Sequence, residues 1–211
     1  MAKAFTLSEV LITLGTIGIV AAMTLPALIQ HRQKIIIETR LKKFYTSINQ
    51  ALIMSEIKYG DKENWYIQNN EDFYETYLKE NLATLRTEDI SNNEKLLYLK
   101  DGSGVILNIY HACPSDKCGG HIVFCSEVKY CQNGIDKSTY GSKQFLFGYW
   151  PNNSDTSFRY HYHKGIEPYK VYWNGKLSGF NVGCNETGGN YCAALIQYNN
   201  WTIPNNYPKK L

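Results

Sequence analysis

From Val10 to Ile29 the chain runs without a formal charge, and most of its residues are apolar. As a helix rising about 1.5 Å per residue, this stretch is roughly 30 Å long, the thickness of a bilayer's hydrocarbon core. No other feature narrows the possible folds so far. The mean hydropathy of the whole chain, −0.37, reads as soluble only because it averages this segment with a polar remainder. Charge divides the chain at a similar place. Residues 1–59 hold 7 Lys and Arg against 3 Asp and Glu, whereas residues 60–211 hold 15 against 16. The net charge of +3 therefore belongs to the N-terminal part, and the remainder is almost neutral. The chain's 17 Tyr, 8 Phe and 4 Trp, many of them in that remainder, offer aromatic surface, but without a basic excess there nucleic-acid binding is not expected. All six cysteines lie beyond residue 110. The chain thus reads as two parts: a greasy, basic N-terminal segment and a neutral, cysteine-bearing body.

Three readings of the N-terminal segment compete: a cleaved secretory signal, a plain membrane anchor, and a segment that is processed and then assembles. Residue detail decides. Met1-Ala2-Lys3-Ala4 forms a short basic leader, followed by Phe5-Thr6-Leu7-Ser8-Glu9 and the apolar run. This resembles the site cut by prepilin peptidases. Gly18, Ala21-Ala22 and Leu25-Pro26-Ala27 fall where type IV pilins carry Gly, Ala-Ala and Leu-Pro-Ala, so the match continues in one register from Ala4 to Ala27. The chain accordingly resembles the type IV pilin and type II secretion pseudopilin family. That resemblance implies cleavage between Ala4 and Phe5, N-methylation of Phe5, storage in the membrane and assembly into a filament. It implies a prepilin peptidase, further copies or related pilins, and an assembly platform with its ATPase as partners. The body would lie outside the cytoplasmic membrane, then in an extracellular or periplasmic filament.

The residues carry physical arguments of their own. A carboxylate at the edge of hydrocarbon is costly and needs a partner. The resemblance supplies one for Glu9: the Phe5 amine of the neighbouring subunit, which would neutralise both charges and set the axial register. Pro26 removes one helical hydrogen bond and predicts a kink or local loosening. Gly15 and Gly18 allow close helix approach but are spaced by three, not four.

Beyond residue 30 the helix turns amphipathic. Ile37, Leu41, Phe44, Ile48 and Leu52 fall on one face, while Arg32, Lys34, Arg40, Lys42, Lys43 and Lys58 take much of the rest. Gly60 is the expected stop. The apolar face predicts packing on a sheet, and the basic run also suits anionic headgroups. Taken alone, that basic flank places the body in the cytoplasm. The leader motif and the cysteines outweigh it.

The fold expected is α+β: a leader (1–4), one long helix (5–59) spanning a membrane over about 10–29, and a globular domain (60–211) with an antiparallel sheet and disulfide-linked loops. A short helix is expected around Glu71 to Leu85. A hairpin is expected from Leu96–Lys100 through Asp101-Gly102-Ser103-Gly104 to Val105–Tyr110. Further strands are expected at His121–Phe124, Gln144–Tyr149, Ser157–His163, Tyr169–Trp173, Lys176–Phe180 after an Asn174-Gly175 turn, and Cys192–Tyr198. The cysteines fall as Cys113/Cys118, Cys125/Cys131 and Cys184/Cys192. Nearest-neighbour bridging is the simplest of 15 possible connectivities. The competing arrangement is a metal site at His111, Cys113, Cys118 and His121, which lacks the usual C-x2-C spacing. An oxidising compartment favours disulfides. Tyr160-His161-Tyr162-His163, read as a strand, puts both histidines on one face. The Asn-x-Ser/Thr sites at Asn152, Asn185 and Asn200 are taken as chance. Without a nucleophile elbow, P-loop, dinucleotide fingerprint or H-E-x-x-H, neither an enzyme nor a cofactor is expected. The alternative function is a membrane-anchored, disulfide-bonded binding module or adhesin that does not polymerise.

Overall fold

The structure is a computed structural model that describes residues 6–90 and 93–211. One helix, α1 (Leu7–Tyr59), accounts for 53 residues, about 80 Å of continuous helix. It ends where foreseen: Gly60 turns the chain with φ 80° and donates its N–H to the Glu56 carbonyl. Short helical turns follow, α2 (Asn70–Asp72) running on into π-helical turns over Phe73–Leu78.

Six strands then make a sheet: β1 (Thr84–Ile90), β2 (Glu94–Leu99), β3 (Gly104–His111), β4 (Gly119–Cys125), β5 (Gln144–Tyr149) and β6 (Glu167–Pro168). Each pairs antiparallel with the next in chain order. The foreseen hairpin is β2–β3, with Gly102 at φ 83° and Asp101 Oδ1 accepting from the Ser103 N–H. Side chains alternate between two faces. Leu97, Val105, Leu107, Ile122, Phe124, Phe145 and Phe147 point to the α1 side. Leu96, Tyr98, Ile106, Val123 and Leu146 point to the other, where residues 126–143 fold back as a lid held by Cys131 and Tyr140. Buried Gln144 pins that lid, donating to the carbonyls of Tyr130 (2.8 Å) and Gly134 (2.9 Å) and accepting from the Asp136 N–H.

The apolar face of α1 meets the sheet as its periodicity requires. Ile37, Leu41, Phe44, Ile48, Ala51 and Leu52 are buried. Phe44 is the centre of the contact, its ring 4.9 Å from Phe124 and 5.1 Å from Phe147. The C-terminal tail closes the other flank of the helix. Trp201 packs on Tyr45 at 4.8 Å, and Glu38 accepts from the Ile203 N–H at 2.7 Å.

Several expected elements are absent or different. Residues 157–163 form turns, with His163 at φ 58°. Residues 169–173 are irregular: the Tyr169 N–H still reaches the Leu146 carbonyl of β5, but Tyr172 at φ 65° turns the chain away. Asn174-Gly175 does turn the chain, but into a 3-10 turn at Leu177–Gly179 and α3 (Phe180–Gly183) rather than a strand. Cys192–Tyr198 is a helix, α4. Its alanines favour helix, and its buried residues serve two cores: Ala193 and Ile196 face the sheet, while Cys192 and Ala194 face Phe180 and Tyr191. The helix expected at Glu71–Leu85 stops short, and β1 begins at its expected end; the mixed sequence Thr84–Ile90 hid an edge strand with no buried residue.

Phe44→Ala is expected to destabilise the folded body by about 3–5 kcal/mol, read from denaturant unfolding of the full chain. Tyr149→Phe is expected to be neutral or stabilising by up to about 1 kcal/mol, since the buried Tyr149 hydroxyl has no hydrogen-bond partner among the described residues.

Candidate functional site

The site of interest is the exposed surface of α1. Ala4 and Phe5, where cleavage is expected, lie outside the described residues. The helix begins immediately after them, capped by Thr6. Glu9 accepts from the Thr6 N–H (2.9 Å) and hydroxyl (2.8 Å), and the Glu9 N–H returns a bond to Thr6 Oγ1 (3.3 Å). This reciprocal capping box gives the Glu9 carboxylate two donors within its own chain. α1 runs through Pro26 without interruption, so the loss of one N–H does not break it. Its first half is long and apolar enough to cross a membrane, and none of that stretch is buried.

The second half of α1 has a second apolar face that the sequence reading missed. Ile35, Ile36, Ile53, Met54 and Ile57 are all exposed, Ile57 at 76%. At 100° per residue they lie on the side of α1 opposite the face that packs on the sheet. Five whole helical turns separate Ile35-Ile36 from Ile53-Met54, so the two pairs stand in line along the helix. Between them come Thr39, Lys43, Thr46 and Gln50, of which Lys43 alone is charged and is paired with Asp101. An ordinary surface helix is polar on this side. Interspersed lysines disguised the pattern, and a search for a second helical period would have found it.

The cysteines are joined as nearest neighbours: Cys113–Cys118, Cys125–Cys131 and Cys184–Cys192, with Cα–Cα separations of 4.7, 5.9 and 4.8 Å. The sulfurs of Cys113 and Cys118 are bonded to each other, so the grouping His111, Cys113, Cys118 and His121 has no thiolates to offer a metal. His161 and His163 do not share a face. His163 is exposed and meets Glu63, whereas His161 is fully buried.

Chemically unusual groups gather instead beside the far half of β4 and β5. His121 lies among Tyr110, Trp150 and Tyr169 at 5.2–5.7 Å between ring centroids. His161 packs on Trp150 at 4.9 Å. His161 Nε2 accepts from the Lys170 N–H at 3.1 Å, which places the proton of the neutral ring on Nδ1. Burial lowers both histidines, His121 to about 4 and His161 to about 3. Lys170 is buried nearby and its ammonium donates to Tyr160 Oη (2.6 Å) and Gln197 Oε1 (3.0 Å), with burial lowering it to about 8. Glu167, which accepts from Tyr45 at 3.0 Å, links this network to α1. Every member packs or bonds within the body, so the network locks the 160–170 segment and α4 onto α1 and the sheet.

Fold and exposed surface together define a chain in which one long helix, apolar along its first half, carries a disulfide-stapled α+β body. The family model described as a family of unknown function (DUF6613) matches residues 27–211, and the chain belongs to that family. The match begins just after Pro26 and takes in the second half of α1 and the whole body. No curated protein and no solved structure matches the chain.

The buried histidines set a pH dependence. Their folded pKa values lie below the ordinary value near 6.5, so the unfolded chain binds more protons as pH falls. Stability is full above about pH 6.5 and is lost progressively from there down toward pH 4 and 3. Lys137, Lys164 and Lys170 add repulsion to the protonated rings. Denaturation midpoints measured from pH 7.5 to 4 are expected to fall, and His121→Phe is expected to flatten the slope.

Proposed function

We propose that this chain is a prepilin-like structural subunit of a type IV pilus or a type II secretion pseudopilus. It waits in the membrane through its apolar helix half. It enters a filament after the leader is cut between Ala4 and Phe5 and Phe5 is methylated. Its role is mechanical: α1 bundles with neighbouring helices and the body forms the outer surface. The observation that carries this reading is the apolar outer face of α1. Exposed apolar residues recur on it beyond membrane length, at Ile35 and Ile36 and again at Ile53, Met54 and Ile57. A simple anchor needs about 20 apolar residues and gains nothing from isoleucines some 30–40 Å above the bilayer. A helix that must be covered by other helices along its whole length does gain from them.

In a prepilin-like subunit Glu9 has two successive partners. Before assembly the Thr6 cap satisfies it; afterwards a neighbouring Phe5 amine replaces or supplements that cap. The capped state lowers the cost of holding a carboxylate at the hydrocarbon edge while the subunit waits.

Intact mass and N-terminal sequencing of the mature protein are expected to give a chain starting at N-methyl-Phe5; an intact Met1, or a start near Met23, overturns the reading. Glu9→Val is expected to leave cleavage unchanged and to abolish recovery in a sheared filament fraction. Ile53→Asp with Ile57→Asp is expected to do the same while the body's denaturation midpoint stays within about 0.5 kcal/mol of wild type, because both side chains are exposed. Normal assembly of that double variant would overturn the role given to this face, whereas absence of the unaltered chain from the filament fraction would favour a non-polymerising anchored module.

A further inference from the structure

The sheet's register brings one end of the body down beside the start of the water-side helix. Arg40 donates to the Ser126 carbonyl at 2.6 Å, at the end of β4. Lys43 pairs with Asp101 in the β2–β3 turn at 3.1 Å. Glu38 holds the tail at Ile203, and Tyr207 of that tail donates to the Gly141 carbonyl at 2.5 Å. The turn at 100–103, both ends of the 126–143 lid and the tail at 203–211 therefore share this end. At about 1.5 Å per residue, Glu38 and Arg40 stand only some 14–17 Å beyond Ile29 along the helix axis. Headgroups occupy roughly the first 5–8 Å of that distance, and the rest is close to one or two Debye lengths at physiological salt.

The charge at this end is one-sided. Its carboxylates are already engaged: Asp101 by Lys43 and Ser103, Glu127 by Lys129, and Glu38 by the Ile203 N–H. The cations are not. Among the described residues no carboxylate pairs with Arg32, Lys34, Lys42, Lys100, Lys143 or Lys210, and all but Lys34 are exposed. Arg32 and Lys34 rise about 4–8 Å above Ile29, at headgroup height. The opposite end, around Glu63, Glu71, Asp89, Asp116 and Asp155, has no such excess.

We propose that this basic end is a docking surface for the phosphate headgroups of anionic phospholipids, with Arg32 and Lys34 in direct contact and Lys42, Lys100 and Lys210 contributing field from above. The partner is a lipid rather than an acidic protein, because the cations ring the point where an apolar, membrane-length helix leaves the body. The surface seats the waiting subunit upright at the bilayer and prefers anionic to zwitterionic lipid. It rests on the reading of the first half of α1 as a membrane span, and its test separates the two.

The full chain is reconstituted in phosphatidylcholine vesicles containing a trace of spin-labelled phosphatidylglycerol or spin-labelled phosphatidylcholine, and motionally restricted lipid is measured by electron paramagnetic resonance. Restricted lipid of either kind reports the span; the ratio of the two reports the docking surface. The expected ratio is several-fold in favour of phosphatidylglycerol at about 50 mM salt and close to one at about 0.5 M salt. Each surface cation contributes up to about fivefold, so Arg32→Ala with Lys34→Ala is expected to bring the low-salt ratio close to one. The charge-matched pair Lys117→Ala with Arg159→Ala, at the opposite end, is expected to leave it unchanged. Restricted lipid with no preference, or a preference that survives loss of Arg32 and Lys34, overturns the docking surface and leaves the span standing. No restricted lipid at all overturns the span, and the docking surface with it.

Discussion

The contact between Phe44 and the paired rings of Phe124 and Phe147 is the joint on which the molecule depends. It fixes which side of a very long helix is inside. Once Ile37, Leu41, Phe44, Ile48 and Leu52 are committed to the sheet, every other side of α1 is assigned as well. The basic residues flank the joint, and Ile35, Ile36, Ile53, Met54 and Ile57 are turned away from the body. Because the helix is unbroken, that choice of rotation is carried down through Pro26 into the apolar half. A packing decision made in water thus sets which face of the membrane-length segment lies under the body and which looks outward.

The second face of the sheet shows the same economy on a smaller scale. Residues 126–143 cover Leu96, Tyr98, Ile106, Val123 and Leu146 with few apolar side chains of their own. The Cys125–Cys131 bridge and the three bonds of Gln144 hold the segment down. A loop with so little to bury needs covalent and polar fastening to stay ordered.

Legibility in the sequence followed the strength of periodic signals. The α1 face, its Gly60 stop, the β2–β3 hairpin, β4 and β5 could all be read directly, whereas spacing made nearest-neighbour bridging only the simplest pairing and the structure supplied the choice. The elements read directly rest on strict spacing or on residues with one conformational use. The stretch from Ser157 to Tyr198 could not. Its aromatics and β-branched residues look like strands, but they are buried by packing on one another and on Cys184–Cys192, not by alternation across a sheet. Left-handed backbone at His163 and Tyr172, neither a glycine, gave no warning. Within the candidate site, Glu9 and the apolar run were visible because hydrocarbon is an unforgiving solvent. The apolar outer face of α1 was hidden among lysines, and the Thr6 cap on Glu9 became apparent only as geometry.

The order of the strands has a consequence for how such a chain is made. Each strand pairs with the one that follows it, and each bridge closes a separation of 5, 6 or 8 residues. Nearly all the information needed to build the sheet is therefore local in the chain, which favours rapid folding. A body of this kind can order and form its bridges strand by strand along the chain. The exception is the tail: Ile203 on Glu38 and Trp201 on Tyr45 join the last stretch of the chain to its first helix. That clasp spans 165 residues between Glu38 and Ile203, so its closure costs more loop entropy than any pairing of neighbouring strands.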